Sequence, residues 1–217
     1  TNLAHALKEL GQLDAAIAHY RSALKLMPTN PDAYRDLGDA LQEMGNVEEA
    51  LVVYDRAISF APHHIELKGS RIRALLISGK LKEGFAGYDQ WRLELSSQVS
   101  RFKQPVWDGS RLEGQTILLY AEPGSGMGDS IQFIRYVPLV IQHGGKVIVE
   151  CQPSLVPLFE QMSGLQQVLP WGSPLPEFSV QASLLSLPRI LGTTLENIPN
   201  QCPYLAAPEP LMFDLPK

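Results

Sequence analysis

The sequence predicts two folds in series. An all-helical repeat array spans residues 1–98, and a parallel α/β half-domain spans residues 115–217. Three observations predict this. A 34-residue period runs through about the first 95 residues: Pro28 returns as Pro62. The segment Ser96–Gly114 then loses helical periodicity and is punctuated by Pro105, Gly109 and Gly114, which predicts a linker over 99–114. Beyond it, apolar runs alternate with glycine turns and helical spacings, the pattern of βαβ units and a parallel sheet.

The period is carried by many positions. Leu3 and Leu37, Gly11 and Gly45, Ala16 and Ala50, Tyr20 and Tyr54, Ala23 and Ala57 are all in frame, and Gly79, Gly84 and Tyr88 continue it. Each repeat reads as two antiparallel helices. Small residues at Ala16, Ala50 and Gly84 let the helices approach. The tyrosines fill the space between them. Gly11, Gly45 and Gly79 end the first helix of each pair, and Pro28 and Pro62 stop the second. The pattern resembles the tetratricopeptide repeat. That resemblance implies a concave face built by the first helices, carrying His5, Lys8, Glu9, Asp32, Arg35, Asp36, Asp39, Glu43, Ser70 and Arg73, and a protein or peptide partner held there. The face is mixed in charge and has no row of Lys, Arg and Asn, so it is not a clamp for a carboxylate-ended peptide.

The third repeat departs from the pattern. Trp91 replaces a small residue, and Leu76 and Ile77 replace polar ones. These predict a surface buried against the next domain, or an exposed array end that pairs with a second copy. His63 and His64 are adjacent and lack a third ligand, so no metal site is expected.

Composition narrows the function classes. The chain has 217 residues, a formal charge of −5 and 45% hydrophobic residues. An acidic balance argues against nucleic-acid binding. No apolar run is long enough for a membrane span, and no signal peptide is visible at the start. Cys151 and Cys202 have no CxxC spacing and read as free thiols, so a cytoplasmic location is expected. Thr1 begins within a helical pattern, which predicts that the chain is a fragment of a longer one.

In the α/β half, strands are expected at 116–121, 146–150 and 167–169, with a further strand near 180–184. Helices are expected at 128–142, 154–162 and 187–191. Trp107 is expected to plug the joint between domains. The stretch Thr116–Val137 is the centre of this half: strand, glycine-rich turn, helix. Gly124, Ser125, Gly126, Met127 and Gly128 form a loop whose backbone N–H groups point at a ligand position at the helix start. Asp129 either caps that helix or faces the ligand. No Lys follows the glycines, so the loop is not a phosphate-binding P-loop, and its spacing is not the dinucleotide fingerprint.

Two resemblances bear on function. The segments Pro105–Gly109 (PVWDG), Gly126–Tyr136 (GMGDSIQFIRY) and Val149–Pro153 (VECQP) resemble a bacterial family in which tetratricopeptide repeats are fused to a glycosyltransferase related to heptosyltransferases and O-linked N-acetylglucosamine transferases. The resemblance implies a first Rossmann-like half of a two-half enzyme, with a nucleotide-sugar donor bound mostly by the second half. It implies Asp129 as the general base that takes the proton of an acceptor hydroxyl. The chain ends where the second half is expected to begin, so the piece is expected to be inactive alone and to hold no cofactor. The loop Glu122–Gly128 also resembles that of S-adenosylmethionine methyltransferases, with Glu150 then placed to hold ribose hydroxyls. A non-catalytic interaction scaffold is the third reading.

Overall fold

The computed structural model describes residues 2–96 and 101–207. The chain divides into two compact units that part between residues 98 and 99.

Among the described residues the first unit has six helices: α1 (Asn2–Glu9), α2 (Leu13–Leu26), α3 (Pro31–Glu43), α4 (Val47–Phe60), α5 (Ile65–Ile77) and α6 (Leu81–Ser96). Each packs on the next, and α3 also touches α5. The first helix of each pair ends at a left-handed glycine: φ is 72° at Gly11, 91° at Gly45 and 78° at Gly79. Without a Cβ these residues adopt that conformation without strain, and the chain reverses there. Asn30 caps α3 by accepting from the Ala33 N–H. At the same place in the next repeat His64 caps α5, its Nδ1 accepting from the Leu67 N–H. The adjacent histidines thus include a helix cap.

Close approach between helices explains the small residues. Tyr20 and Tyr54 are fully buried. A Cβ on Gly38 would lie 2.3 Å from the Tyr54 ring, so the ring occupies the space a side chain would take. The third repeat solves the same problem differently. Trp91 covers Gly69, where an added Cβ would meet the indole at 3.1 Å, and its Nε1–H donates to the Ile65 carbonyl at 2.9 Å. Leu76 lies against Gly84. Ile77 is 59% exposed.

The second unit is a four-stranded, all-parallel sheet in the order β3-β2-β1-β4. Its strands are β1 (Thr116–Tyr120), β2 (Lys146–Cys151), β3 (Leu165–Pro170) and β4 (Val180–Ser183). Its helices are α7 (Met127–Phe133), α8 (Val137–Gln142), α9 (Val156–Phe159) and α10 (Leu187–Ile190). Ile117, Leu118 and Leu119 in β1 and Val147, Ile148 and Val149 in β2 have no exposed surface. This is why these strands read as unbroken apolar runs.

The helix expected over 128–142 is interrupted. Residues Ile134–Tyr136 form a tighter 3-10 turn between α7 and α8. Pro138 has no N–H to return to Ile134, and its ring crowds that carbonyl. Trp107 packs within its own unit. It is buried inside the second unit, with its ring edge-on to His143 at 5.3 Å and its Nε1–H donating to the Ser110 carbonyl. Its backbone N–H donates to Gln181, and the Gln181 N–H donates to Pro105, so Val106 lies parallel beside β4. Phe102 sits edge-on between Tyr120 and Phe178.

Candidate functional site

Two places collect the residues singled out by sequence: the first-helix face of the repeats and the glycine loop of the sheet.

On the repeat face, α1, α3 and α5 carry the ten expected residues, and most of them pair with one another. Asp36 is almost wholly buried and accepts from two directions, His5 Nε2 at 3.0 Å and Arg35 at 3.1 Å. Arg35 also reaches Asp32 at 3.3 Å, and Asp32 faces His64 at 3.3 Å. Lys8 lies 3.6 Å from Glu43. Asp39 accepts from the Tyr54 hydroxyl at 2.7 Å and from Arg73 at 3.4 Å, while Arg73 also donates to Ser70 at 3.0 Å. Two groups of contacts therefore span the face, one from His5 through Asp36, Arg35 and Asp32 to His64, the other joining Asp39, Arg73 and Ser70. The exposed links are individually worth little, but Asp36 itself is not in open water. Burial opposes the charge on Arg35, yet its bond to Asp36 prevails and raises its pKa.

One repeat position shows why this face is not uniform. Residues 5, 39 and 73 are in frame and read His, Asp and Arg. In the second pair the acid at this position satisfies the buried tyrosine, Tyr54. Burial first and the Asp39 bond second raise the Tyr54 pKa. In the first pair the position is His5, whose ring stands edge-on to Tyr20 at 5.9 Å. Its Nε2 is turned to Asp36. The Tyr20 hydroxyl is buried and has no hydrogen-bond partner among the described residues. Its pKa is pushed up to about 12, by burial first and then by Asp36, Asp39 and Glu9.

The glycine loop lies at the carboxyl end of β1. Gly124 has φ 91° and so needs to be glycine; Gly126 and Gly128 do not have positive φ. Gly126 precedes α7, and its N–H donates to Asp129 Oδ2 at 3.0 Å. Asp129 thus holds the turn before its own helix and remains partly exposed. Ser125 donates twice, through N–H and Oγ, to the Glu122 carbonyl. Met127 Sδ accepts from Ser154 Oγ at 3.2 Å.

Sequence reasoning missed the residue that ties this loop down. Gln152, buried just after β2, donates from Nε2 to the Ser125 carbonyl at 3.2 Å and accepts from Ser130 Oγ at 2.9 Å. The VECQP stretch contains Gln152 but gives no local sign of this clasp.

Glu150 is not available to hold ribose hydroxyls. Its side chain is fully buried and is held by Arg101, which donates to Oε2 at 2.5 Å and to Oε1 at 2.7 Å. The methyltransferase reading loses its acid for that reason. Cys151 beside it is buried, its thiol pushed up to about 12 by burial and then by Glu150 and Glu160. No group of three His, Cys, Asp or Glu residues is placed to hold a metal among the described residues. No described helix is long and apolar enough to cross a membrane.

Comparison with known proteins bears on the first unit. The TPR repeat family matches residues 4–45, and the tetratricopeptide repeat family matches residues 31–64. No curated protein matches the chain significantly. Among solved structures, MamA (41-end) from Desulfovibrio magneticus RS-1 is 17% identical with a TM-score of 0.42, covering 44% of this chain and 54% of that one. The TPR2B domain of yeast Sti1 in its pHsp70 complex is 16% identical, TM-score 0.42, covering 43% and 75%. PcrH in complex with the chaperone binding region of PopD is 20% identical, TM-score 0.42, covering 45% and 73%. The chain spans about half the length of the MamA structures it resembles. The N-terminal region of this chain is built of tetratricopeptide repeats, followed by a small parallel α/β sheet.

Proposed function

We propose that the repeats bind an extended segment of a partner protein on the face formed by α1, α3 and α5. Stacked repeats create long surfaces of this kind. The observation that carries the reading is the run of half-exposed polar side chains from His5 to Arg73, set at one face by the 34-residue frame. The test is site-specific photo-crosslinking in cells. A benzophenone side chain at Arg73 should yield partner adducts, and the same group at Val52, exposed on α4, should not. Equal adducts from both positions would refute the reading.

A second reading concerns the sheet, and one observation favours it. The chain leaves β1 toward β2 on one side, while β4 returns on the other. Ligands of open parallel sheets bind outside the carboxyl ends of the strands at such a reversal. The glycine loop and Asp129 lie there. In a longer parent protein, Asp129 would accept the proton of an acceptor hydroxyl while its oxygen attacks the anomeric carbon and the nucleoside diphosphate leaves. This Rossmann-like, glycosyltransferase reading assigns the nucleotide-sugar to the parent. Thermal shift of the parent against nucleotide-sugars tests it, because a ligand of the native state raises the melting point. A non-catalytic scaffold is the remaining reading, and absence of any such shift favours it.

A further inference from the structure

The first-helix face carries five acids, Glu9, Asp32, Asp36, Asp39 and Glu43, against three permanent cations, Lys8, Arg35 and Arg73. Most of these are matched internally. Two groups are not. Glu9 is exposed and enters no ion pair among the described residues. The Tyr20 hydroxyl is fully buried and has no hydrogen-bond partner among the described residues, although its repeat counterpart Tyr54 has one.

An orphaned hydroxyl in a packed array is costly, and a ligand that satisfies it recovers that cost. The His5 ring stands edge-on to Tyr20, is half exposed and is held to Asp36 by a single contact. His5 occupies the place at Asp36 that an incoming cation would take. Displacing it removes a ring that stands against Tyr20 and frees one oxygen of Asp36, and Glu9, Asp36 and Asp39 all lie within electrostatic reach of the Tyr20 hydroxyl.

Resting on the proposal that this face binds peptide, we propose that its partner segment is basic. A lysine or arginine of the partner replaces His5 at Asp36 with Glu9 alongside, and a neighbouring backbone carbonyl accepts from Tyr20. The arrangement is opposite in sign to a carboxylate clamp. The excess of acids on the face, and not its shape, selects the partner.

The experiment uses the full chain and two labelled peptides in fluorescence anisotropy, alternating lysine–alanine and alternating glutamate–alanine. The lysine peptide should bind, more weakly as salt rises, and the glutamate peptide should not. Tyr20→Phe and Glu9→Gln should each weaken binding about fivefold, and His5→Ala should tighten it. Tyr20→Phe removes an unbonded hydroxyl, so its melting temperature should not fall, which separates lost binding from lost fold. Equal affinity in wild type, Tyr20→Phe and Glu9→Gln would overturn the assignment, as would preference for the glutamate peptide. Failure of the lysine peptide while groove crosslinks persist overturns the basic-partner assignment alone. Failure of both peptides together with loss of the crosslinks removes the peptide-binding reading as well.

Discussion

Arg101 grips Glu150 with two parallel hydrogen bonds, 2.5 and 2.7 Å, at the carboxyl end of β2. The Glu150 side chain is fully buried, whereas the Arg101 side chain is 39% exposed and its guanidinium lies over the Phe102 ring at 4.8 Å. The bond to Glu150 raises the Arg101 pKa. Removing one partner of such a pair leaves a buried charge, which costs more than the pair contributes. Arg101→Ala should therefore destabilise the second unit by about 3 kcal/mol in urea unfolding. The double change Arg101→Met with Glu150→Leu should recover most of that loss. A double variant as unstable as the single one would show that the pair itself holds the fold.

Gly38 and Tyr54 make a second test. Gly38→Ala places a Cβ 2.3 Å from the ring, so the ring or the helix must shift. Overpacking of this kind costs about 1–3 kcal/mol. At Gly45 the space is open but φ is 91°, so Gly45→Ala should cost about 1 kcal/mol through backbone strain alone. Repacking should restore only the first: Tyr54→Leu added to Gly38→Ala should recover stability relative to Gly38→Ala, and added to Gly45→Ala should not.

The repeats were legible because the same steric demand recurs. Each pair of helices needs a left-handed glycine at its turn, and the first two bury a tyrosine between small residues, so 34 residues later the sequence meets the demand again. Strands β1 and β2 were legible because burial on both faces leaves an apolar run. Relationships between distant residues were not. Trp91 and Gly69 exchange volume between two helices, and Arg101 finds Glu150 across 49 positions. No local pattern encodes such pairs. The expected face residues from His5 to Arg73 share α1, α3 and α5, but their internal pairing depends on side-chain reach and not on period. At the loop, only Gly124 shows the positive φ that its glycine permits; Gln152 does its tethering from another strand.

Gln152 should control the order of the glycine loop. Gln152→Ala leaves Ser130 Oγ and the Ser125 carbonyl without their partner. The loss should be about 1–3 kcal/mol, and amide exchange should accelerate locally at residues 125–128. By contrast, Asp129→Ala removes only a turn-holding contact and should cost about 1 kcal/mol. Under the glycosyltransferase reading, Asp129→Ala should abolish sugar transfer in any protein that joins this half to a donor-binding half; unchanged turnover would remove Asp129 from that chemistry.

The two thiols should differ in reactivity. Cys202 is exposed and should react with iodoacetamide in the native protein. Cys151 is buried and its thiol is pushed up to about 12, so almost none of it is thiolate at neutral pH. Mass spectrometry should find one alkylated cysteine in the native chain and two after unfolding. Native labelling of Cys151 would mean that the carboxyl end of β2 opens more often than its burial implies.

Stability should fall on the alkaline side. Cys151 and Tyr20 each titrate near 12 in the folded protein, above their ordinary values, and burial also raises Tyr54 and Tyr136. The unfolded chain gives up these protons first, at about pH 8.5 for a thiol and about 10 for a phenol. The folded state then holds more protons than the unfolded state, so unfolding free energy declines as pH rises. Each group's contribution is complete below its unfolded pKa and is lost as pH climbs toward 12, at up to about 1.4 kcal/mol per pH unit. Urea midpoints measured at neutral pH and in the alkaline range should therefore drop steeply above about pH 9. Tyr20→Phe should flatten that drop for the first unit while leaving the neutral-pH midpoint unlowered. An alkaline profile identical to wild type would show that the Tyr20 hydroxyl gains solvent, or a partner, in solution.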